Sequence, residues 1–406
     1  MVSPETTIVT LFVLAVIVGS VSILKFTKDR TCRVSRLRLF IQIAAVFAIF
    51  MGLLIGPFNQ PDWLPLGPSP RDHLIGTDIL GNQFPDGISF PALACYYPNG
   101  RTVTCAIWQI QAYIFPFWNY SLGYGVFYST SGLEMLLIVF SLLIFASLLL
   151  GRFYCGWICP FGLYMDLLTR IRIALKKRHL TLSPKTNNAL NQSRFIIIAV
   201  FIILSVIFGS YSIFGTQLIP GTSPGVDGFD ALHSGIVSNI NEPFCLVCPA
   251  RPLCILAECA VGSMNYSYVS QIAYGPLWIT GFYITSINLA VLIAITILGL
   301  AYRRFWCRIC PMGALTALFS TYRPFRYIAL TKLEKTEAKC TKCGICKRVC
   351  PTDVAEIYDR KGGDVTVSGC MLCVRCVEMC PYKDALKVKF ARKTVMSSRN
   401  WLEDET

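Results

Sequence analysis

Eight cysteines in the last quarter of the chain repeat one spacing twice. They read Cys340-x2-Cys343-x2-Cys346-x3-Cys350-Pro351, then Cys370-x2-Cys373-x2-Cys376-x3-Cys380-Pro381. Thiolate is the ligand that iron–sulfur chemistry selects, and this spacing serves a pair of [4Fe–4S] clusters in which the fourth cysteine of each run ligates the other cluster. It therefore predicts one cluster on Cys340, Cys343, Cys346 and Cys380, and a second on Cys370, Cys373, Cys376 and Cys350. Zinc takes four ligands in looser pairs, and a disulfide framework does not require a doubled two-two-three spacing.

A second set of thiols sits in an internal repeat. Gly151-Arg152-Phe153-Tyr154-Cys155-Gly156-Trp157-Ile158-Cys159-Pro160-Phe161-Gly162 matches Arg303-Arg304-Phe305-Trp306-Cys307-Arg308-Ile309-Cys310-Pro311-Met312-Gly313 in base, aromatic pair, cysteines, proline and glycine, with one residue inserted in the first copy. Four thiolates satisfy one cubane cluster, so Cys155, Cys159, Cys307 and Cys310 predict a third [4Fe–4S] cluster. Arg152, Arg304 and Arg308 would lower the thiol pKa values and offset cluster charge. Two reduced thiol pairs or a zinc clip are the competing readings. A further group is Cys245-x2-Cys248-Pro249-x5-Cys254-x4-Cys259. It reads either as a fourth [4Fe–4S] cluster or as disulfides. Cys95 and Cys105 are expected to form a disulfide around Pro98-Asn99-Gly100, and Cys32 to be a lone thiol.

The elements that must position these thiols read as membrane helices. Apolar residues of the AVILMFWYC class make up 54% of the chain and charged ones only 15%; mean hydropathy is +0.54. Five apolar runs, Thr7–Leu24, Leu39–Phe58, Leu133–Leu150, Phe195–Phe214 and Leu277–Tyr302, are long enough to cross a bilayer, for which a helix needs roughly 20 apolar residues. The expected fold is an all-α polytopic membrane bundle of about five spans plus a C-terminal α+β two-[4Fe–4S] domain of bacterial ferredoxin type. The parts are two N-terminal spans (1–58), an external loop region (59–132), a three-span core (133–326) with an external cysteine-rich loop (215–275), the ferredoxin domain (331–389) and a tail (390–406). The first run has no basic leader and no A-x-A site, so it reads as a retained span.

The net charge of +14 follows the loops rather than a nucleic-acid surface. Lys25, Lys28, Arg30, Arg33, Arg36 and Arg38 follow the first run, and eight bases from Arg152 to Arg194 lie between the third and fourth. The opposite loops carry Asp62, Asp72, Asp78, Asp86, Asp227 and Asp230. The positive-inside rule then places the N-terminus outside and the ferredoxin domain in the cytoplasm of a multi-pass cell-membrane protein.

What is missing narrows the chemistry. His73, His179 and His233 all lie outside the apolar runs, so they cannot ligate a transmembrane haem. No Cys-x-x-Cys-His and no Gly-x-Gly-x-x-Gly after a strand occur. Glu134 and Asp166 read as helix-end charges. No acid, base or nucleophile constellation is visible, so the chain reads as an electron-transfer component rather than a stand-alone enzyme.

From Leu133 to Pro381 the chain resembles the membrane polyferredoxins. These are the ferredoxin-type accessory proteins of periplasmic nitrate reductase, nitrous oxide reduction and methylamine dehydrogenase, and the copper-reducing assembly factor of cytochrome oxidase. The resemblance rests on Gly151-Arg152-x2-Cys155-Gly156-Trp157-x-Cys159-Pro160, the later Cys310-Pro311 motif and the eight C-terminal cysteines. It implies electron relay between a cytoplasmic redox partner and a membrane carrier or exported redox protein. Cluster-ligand roles would fall on Cys155, Cys159, Cys307, Cys310 and the C-terminal eight. The chain departs from the pattern in lacking an external flavin domain, in the shorter second motif and in the extra external cysteines. A hydrocarbon core of ~30 Å would separate the two faces, so either a quinone, a phenazine or a haem-bearing partner bridges them, or no electrons cross and the protein works on one face. The alternative function is an assembly factor that reduces a metal ion or disulfide for an exported enzyme.

Overall fold

A computed structural model describes residues 4–27, 33–50, 93–94, 105–111, 127–213, 243–261, 286–322 and 324–399. The chain divides into two compact units. One comprises Met1–Val9, Phe47–Leu143 and Ile196–Ile295; the other comprises Thr10–Val46, Ile144–Phe195 and Thr296–Thr406.

The expected five-span bundle is not found among the described residues. Among the described residues one helix is long and apolar enough to cross a membrane, Pro184–Ile207, the greater part of a helix that runs Pro184–Ile213. Shorter apolar stretches are Leu11–Phe26, Leu136–Leu150 and Ser286–Ala301, the first two lying within the helices Pro4–Phe26 and Phe127–Leu150. At 1.5 Å per residue the 16 residues of Ser286–Ala301 reach ~24 Å, short of the ~30 Å hydrocarbon core. Arg33–Phe50 carries Arg33, Arg36 and Arg38 in its first turns, which leaves Leu39–Phe50 as its apolar part. The helix read from Leu277 is described only from Ser286. The exposed face of Pro184–Ile207 does carry Ile196, Val200, Ile203 and Ile207, as a lipid-facing helix requires.

The two copies of the internal repeat fold alike. α1 (Phe153–Trp157) leads through Cys159 into α2 (Pro160–Ala174). α3 (Trp306–Ile309) leads through Cys310 into α4 (Pro311–Thr321). Both cysteines are extended, Cys159 at φ −60°, ψ 122° and Cys310 at φ −63°, ψ 123°. The following proline forces that conformation and then opens the next helix, where its missing N–H costs nothing.

The C-terminal part is a four-stranded antiparallel sheet, β1 (Thr331–Lys335), β2 (Gly363–Asp364), β3 (Leu386–Phe390) and β4 (Lys393–Ser397), in the order β2-β1-β3-β4. Leu333 pairs with Val388 across β1 and β3. These two, with Val354, Ile357, Val365, Val377 and Leu386, form a core shared with Cys350, Cys376 and Cys380. β4 lies in the segment read as a tail. Its turn has Ala391 at φ 47° and Arg392 at φ 69°. Two left-handed residues are what a two-residue hairpin needs, and neither is the glycine or asparagine that usually signals one.

Candidate metal centre

The two cysteine runs have the same local backbone. Lys342 and Leu372, the residues before the second cysteine of each run, are left-handed at φ 56° and 49°. Gly344 and Val374, the residues after it, are left-handed at φ 74° and 63° and open the short helices Ile345–Val349 and Arg375–Glu378. Alternation of this kind turns backbone N–H groups inward, the arrangement that cradles anionic groups. Cys340, Cys343, Cys346 and Cys380 line one cavity. Cys350, Cys370, Cys373 and Cys376 line another. The chain thus brings the fourth cysteine of each run to the other run.

These cavities suit a cluster better than a single ion. Zinc–thiolate bonds of ~2.3 Å set tetrahedral sulfurs only ~3.8 Å apart. Among the described residues no three His, Cys, Asp or Glu side chains converge to hold one ion. Burial pushes the Cys370 thiol up to about 12 and that of Cys350 to about 11. Sulfurs so placed ionise when a metal replaces the proton. The Val354 N–H donates to the Cys350 sulfur at 3.3 Å. Such N–H···S bonds are among the groups that set cluster potentials.

The internal repeat is tied together by exchanged arginines. Arg152, from the first copy, donates to the Cys307 carbonyl of the second at 3.0 Å. Arg304, from the second, donates to the Cys155 carbonyl of the first at 3.0 Å. Both guanidinium groups are buried, and so is Arg308. Arg304 is neutralised by Asp166, whose carboxylate also accepts from Arg38 and Gln42. Burial raises the Asp166 pKa, but Arg304, with Arg38 and Gln42, outweighs it and holds the carboxyl below the usual range. Asp166 is therefore a buried countercharge, not a helix-end charge. Cys310 lies among Cys155, Cys159 and Cys307, whose charges add to the burial that raises its pKa well above that of an ordinary thiol. Cys155 and Cys307 also pack with Met371 and Cys373 of the sheet-bearing part, and Trp157 Nε1 donates to the Leu372 carbonyl at 3.0 Å.

The two repeat glycines make room for this exchange. A Cβ on Gly313 would stand 2.6 Å from Arg152 Nη2, and one on Gly162 would stand 2.8 Å from the Cys155 carbonyl. Gly→Ala in an open helix stabilises by up to about 1 kcal/mol. Gly313→Ala is expected to do the opposite and cost about 1–3 kcal/mol by displacing a pinned guanidinium. Thermal denaturation beside wild type checks the sign, and a gain in stability would mean that Arg152 is not held there.

One part of the site lies at the start of the helix Pro184–Ile213. Asn187, Asn191 and Arg194 recur at helical spacing and are buried. Asn187 Nδ2 donates to the carbonyls of Thr352 and Asp353 at 3.1 and 3.0 Å. Arg194 and Arg152 donate to the same Ser368 carbonyl at 2.8 and 2.7 Å. Arg308 bonds Asn187 and pairs with Asp353 at 2.7 Å. The polar i, i+4, i+7 stripe was the available signal; it marks a buried face only when a polar partner is present to receive it.

In the other unit Cys105, Cys245, Cys248, Cys254 and Cys259 are all buried. Cys32 and Cys95 lie outside the described residues, and so therefore does the expected Cys95–Cys105 disulfide. His73 and His233 are outside them as well.

Two further cavities adjoin the cysteine sets of the sheet-bearing unit. Arg38, Arg170, Arg303, Arg348 and Arg375, with Asp166, line a cleft of about 550 Å³ that also meets Val349 and Pro351 on either side of Cys350. An apolar cavity of about 850 Å³ meets Phe153, Trp157, Leu372, Val374, Val377 and Val395, with Arg33, Glu378 and Arg399 as its charged groups. Its size is within the usual ~300–1,000 Å³ range for small-molecule pockets.

Residues 132–178 and 285–326 match the model of a 4Fe-4S binding domain, and residues 332–381 match that of a 4Fe-4S dicluster domain. The chain thus carries ferredoxin-type 4Fe-4S domains. An uncharacterized protein of Methanocaldococcus jannaschii is 26% identical over 252 residues, covering 61% of this chain and 76% of that protein. YccM of Escherichia coli K12, provisionally named an electron transport protein, is 25% identical over 292 residues, covering 70% of this chain and 64% of YccM. A second uncharacterized M. jannaschii protein is 22% identical over 233 residues, 57% of this chain and 61% of its own. The chain spans less than two thirds of these last two relatives. No solved structure matches the chain.

Proposed function

We propose that this chain is an iron–sulfur electron-transfer protein of the membrane, relaying single electrons between a soluble redox protein and a lipophilic carrier. The observation that carries the reading is the adjacency of three cysteine sets within one unit. Cys346 of the first lies close enough to Cys376 of the second for their charges to interact. Cys373 of the second packs with Cys155 and Cys307 of the third. Cys340, Cys343, Cys346 and Cys380 would hold one cluster, Cys350, Cys370, Cys373 and Cys376 the second, and Cys155, Cys159, Cys307 and Cys310 the third. When bound, [4Fe–4S] clusters supply one-electron storage and transfer. The protein's part is to ligate them, exclude water and supply N–H donors and buried arginines that stabilise negative charge.

The two ends of the relay are supported by the cavities. The arginine cleft beside Cys350 suits an acidic redox protein, whose approach it would steer and whose binding salt would weaken. The apolar cavity suits a quinone or phenazine. Val374 lines it at φ 63°, where the first run has Gly344. A β-branched residue held left-handed costs on the order of 1–3 kcal/mol, and such strain collects at functional sites. Membrane association is supported by Pro184–Ile207. The name of YccM and the two matched 4Fe-4S models point to the same general role.

Anaerobically purified full-length chain is expected to carry about four irons and four sulfides for each of the three sets. Cys307→Ser is expected to remove about four of them. Fewer than about eight irons after reconstitution would overturn the reading. Val395 is 68% exposed at the cavity, so Val395→Arg is expected to leave the iron content and Tm unchanged. It should slow electron exchange with a short-chain quinone at least tenfold in stopped flow. An unchanged rate would remove the apolar cavity from the relay.

A further inference from the structure

We propose that Cys105, Cys245, Cys248 and Cys254 hold an iron–sulfur cluster of their own in the first unit, and that Cys259 is not among its ligands. The spacing alone groups Cys259 with the other three, but helix geometry separates it. Cys254 and Cys259 lie on one helix, Arg251–Val261. Five residues at 100° each turn the second cysteine about 140° from the first, so the two sulfurs leave the helix on different faces. Cys259 is accompanied instead by Glu258, whose charge adds to the burial that raises its thiol pKa.

Cys105 stands on the other side of this division. Its sulfur lies near enough to Cys248 for their charges to interact. Cys105 is followed by helical residues 106–111, among them Gln111, which reaches the Cys245-x2-Cys248 turn. Gln111 Nε2 approaches the Cys245 sulfur at 4.0 Å, and its Oε1 accepts the Phe244 N–H at 3.0 Å. All of these groups are buried.

The turn itself has the features of the ferredoxin-type sets. The Cys248 sulfur accepts the N–H groups of Ala250 and Arg251, as the Cys310 sulfur accepts that of Gly313 and Cys350 that of Val354. In each case a proline follows the cysteine and the donors lie two to four residues on. Asn288 Nδ2 gathers the carbonyls of Cys245, Leu246 and Cys248 at 2.9, 2.9 and 3.1 Å. Arg251 donates to the Cys245 carbonyl at 3.3 Å and brings a buried cation to the thiols, as Arg152 and Arg304 do to theirs. Carbonyls are drawn away from the sulfurs and N–H groups are turned toward them, which favours thiolate ligands. Binding a [4Fe–4S] cluster would release one proton from each of the four thiols, leaving four Fe–S(Cys) bonds.

The test compares iron, acid-labile sulfide and low-temperature EPR of anaerobically purified full-length wild type with Cys105→Ser, Cys245→Ser and Cys259→Ser. Cys105→Ser and Cys245→Ser are each expected to lose about four irons per chain and the same EPR component, whereas Cys259→Ser keeps both. The signals of the C-terminal cysteine sets should persist in all three variants, so loss of the whole relay is distinguishable from loss of this site. Iron lost in Cys259→Ser but kept in Cys105→Ser would overturn the ligand set. Iron unchanged in every variant would overturn the cluster. Peptide mapping of wild type without reductant is an independent check, since a Cys95–Cys105 disulfide in the iron-replete protein would exclude Cys105 even if its variant failed to fold.

Discussion

Asp166→Asn is expected to be among the most destabilising single changes in this chain, at about 3–5 kcal/mol, because it leaves Arg304 charged, buried and without its counterion. Arg304 is fully buried and donates to both carboxylate oxygens, to the Cys155 carbonyl and to the Met371 sulfur at 2.8 Å. At roughly 2–4 °C per kcal/mol for a unit of this size, Tm should fall by roughly 6–20 °C. The double variant Asp166→Asn/Arg304→Met should recover part of the loss, since removing both charges removes the desolvation penalty. It should not recover all of it, since the bond to Cys155 is gone. A single variant within 1 kcal/mol of wild type would mean that Asp166 does not carry the charge balance. The pH dependence has a fixed sign. Asp166 is held below the ordinary carboxylate pKa, so its contribution is present in full above about pH 4 and is lost as pH falls through the folded value.

Cys350→Ser is expected to damage the cluster of the other run. Cys350 belongs in sequence with Cys340, Cys343 and Cys346, yet it lines the cavity of Cys370, Cys373 and Cys376. The variant should lose up to about four irons and the EPR component of that second site, while the component that depends on Cys380 persists. Cys380→Ser should give the complementary result. Were each variant to abolish the signal of its own run, the exchange of fourth ligands would be wrong. The two variants together assign signals to sites, which iron counting alone does not do.

The adjacency of the cysteine sets has a structural cause in the repeat. Each Cys-Pro turn receives at a cysteine carbonyl a guanidinium from the other copy. The exchange makes the two halves interdependent. Arg152 cannot reach Cys307 without the space at Gly313, nor Arg304 reach Cys155 past a side chain at Gly162. Loss of either glycine is thus expected to disturb both copies.

The doubled spacing of the eight C-terminal cysteines, the repeat around Cys155 and Cys307, and the arginines beside it were all legible in the sequence, because ligand chemistry fixes residue type and separation locally. The tertiary structure decided what depends on distant groups. Asp166 and the stripe Asn187, Asn191 and Arg194 look like surface polarity until Arg304, Ser368 and the Thr352–Asp353 carbonyls are placed against them. β4 has no turn signal of its own and exists because β3 offers it a paired edge. The five expected spans failed for a related reason. Hydropathy counts residues along the chain, whereas a membrane helix is defined by where a hydrogen-bonded apolar cylinder begins and ends; among the described residues Pro184–Ile207 is both long and apolar enough. In the first unit the sequence supplied the thiols by type, but the choice between Cys105 and Cys259 is a matter of helix phase and of what Gln111 touches.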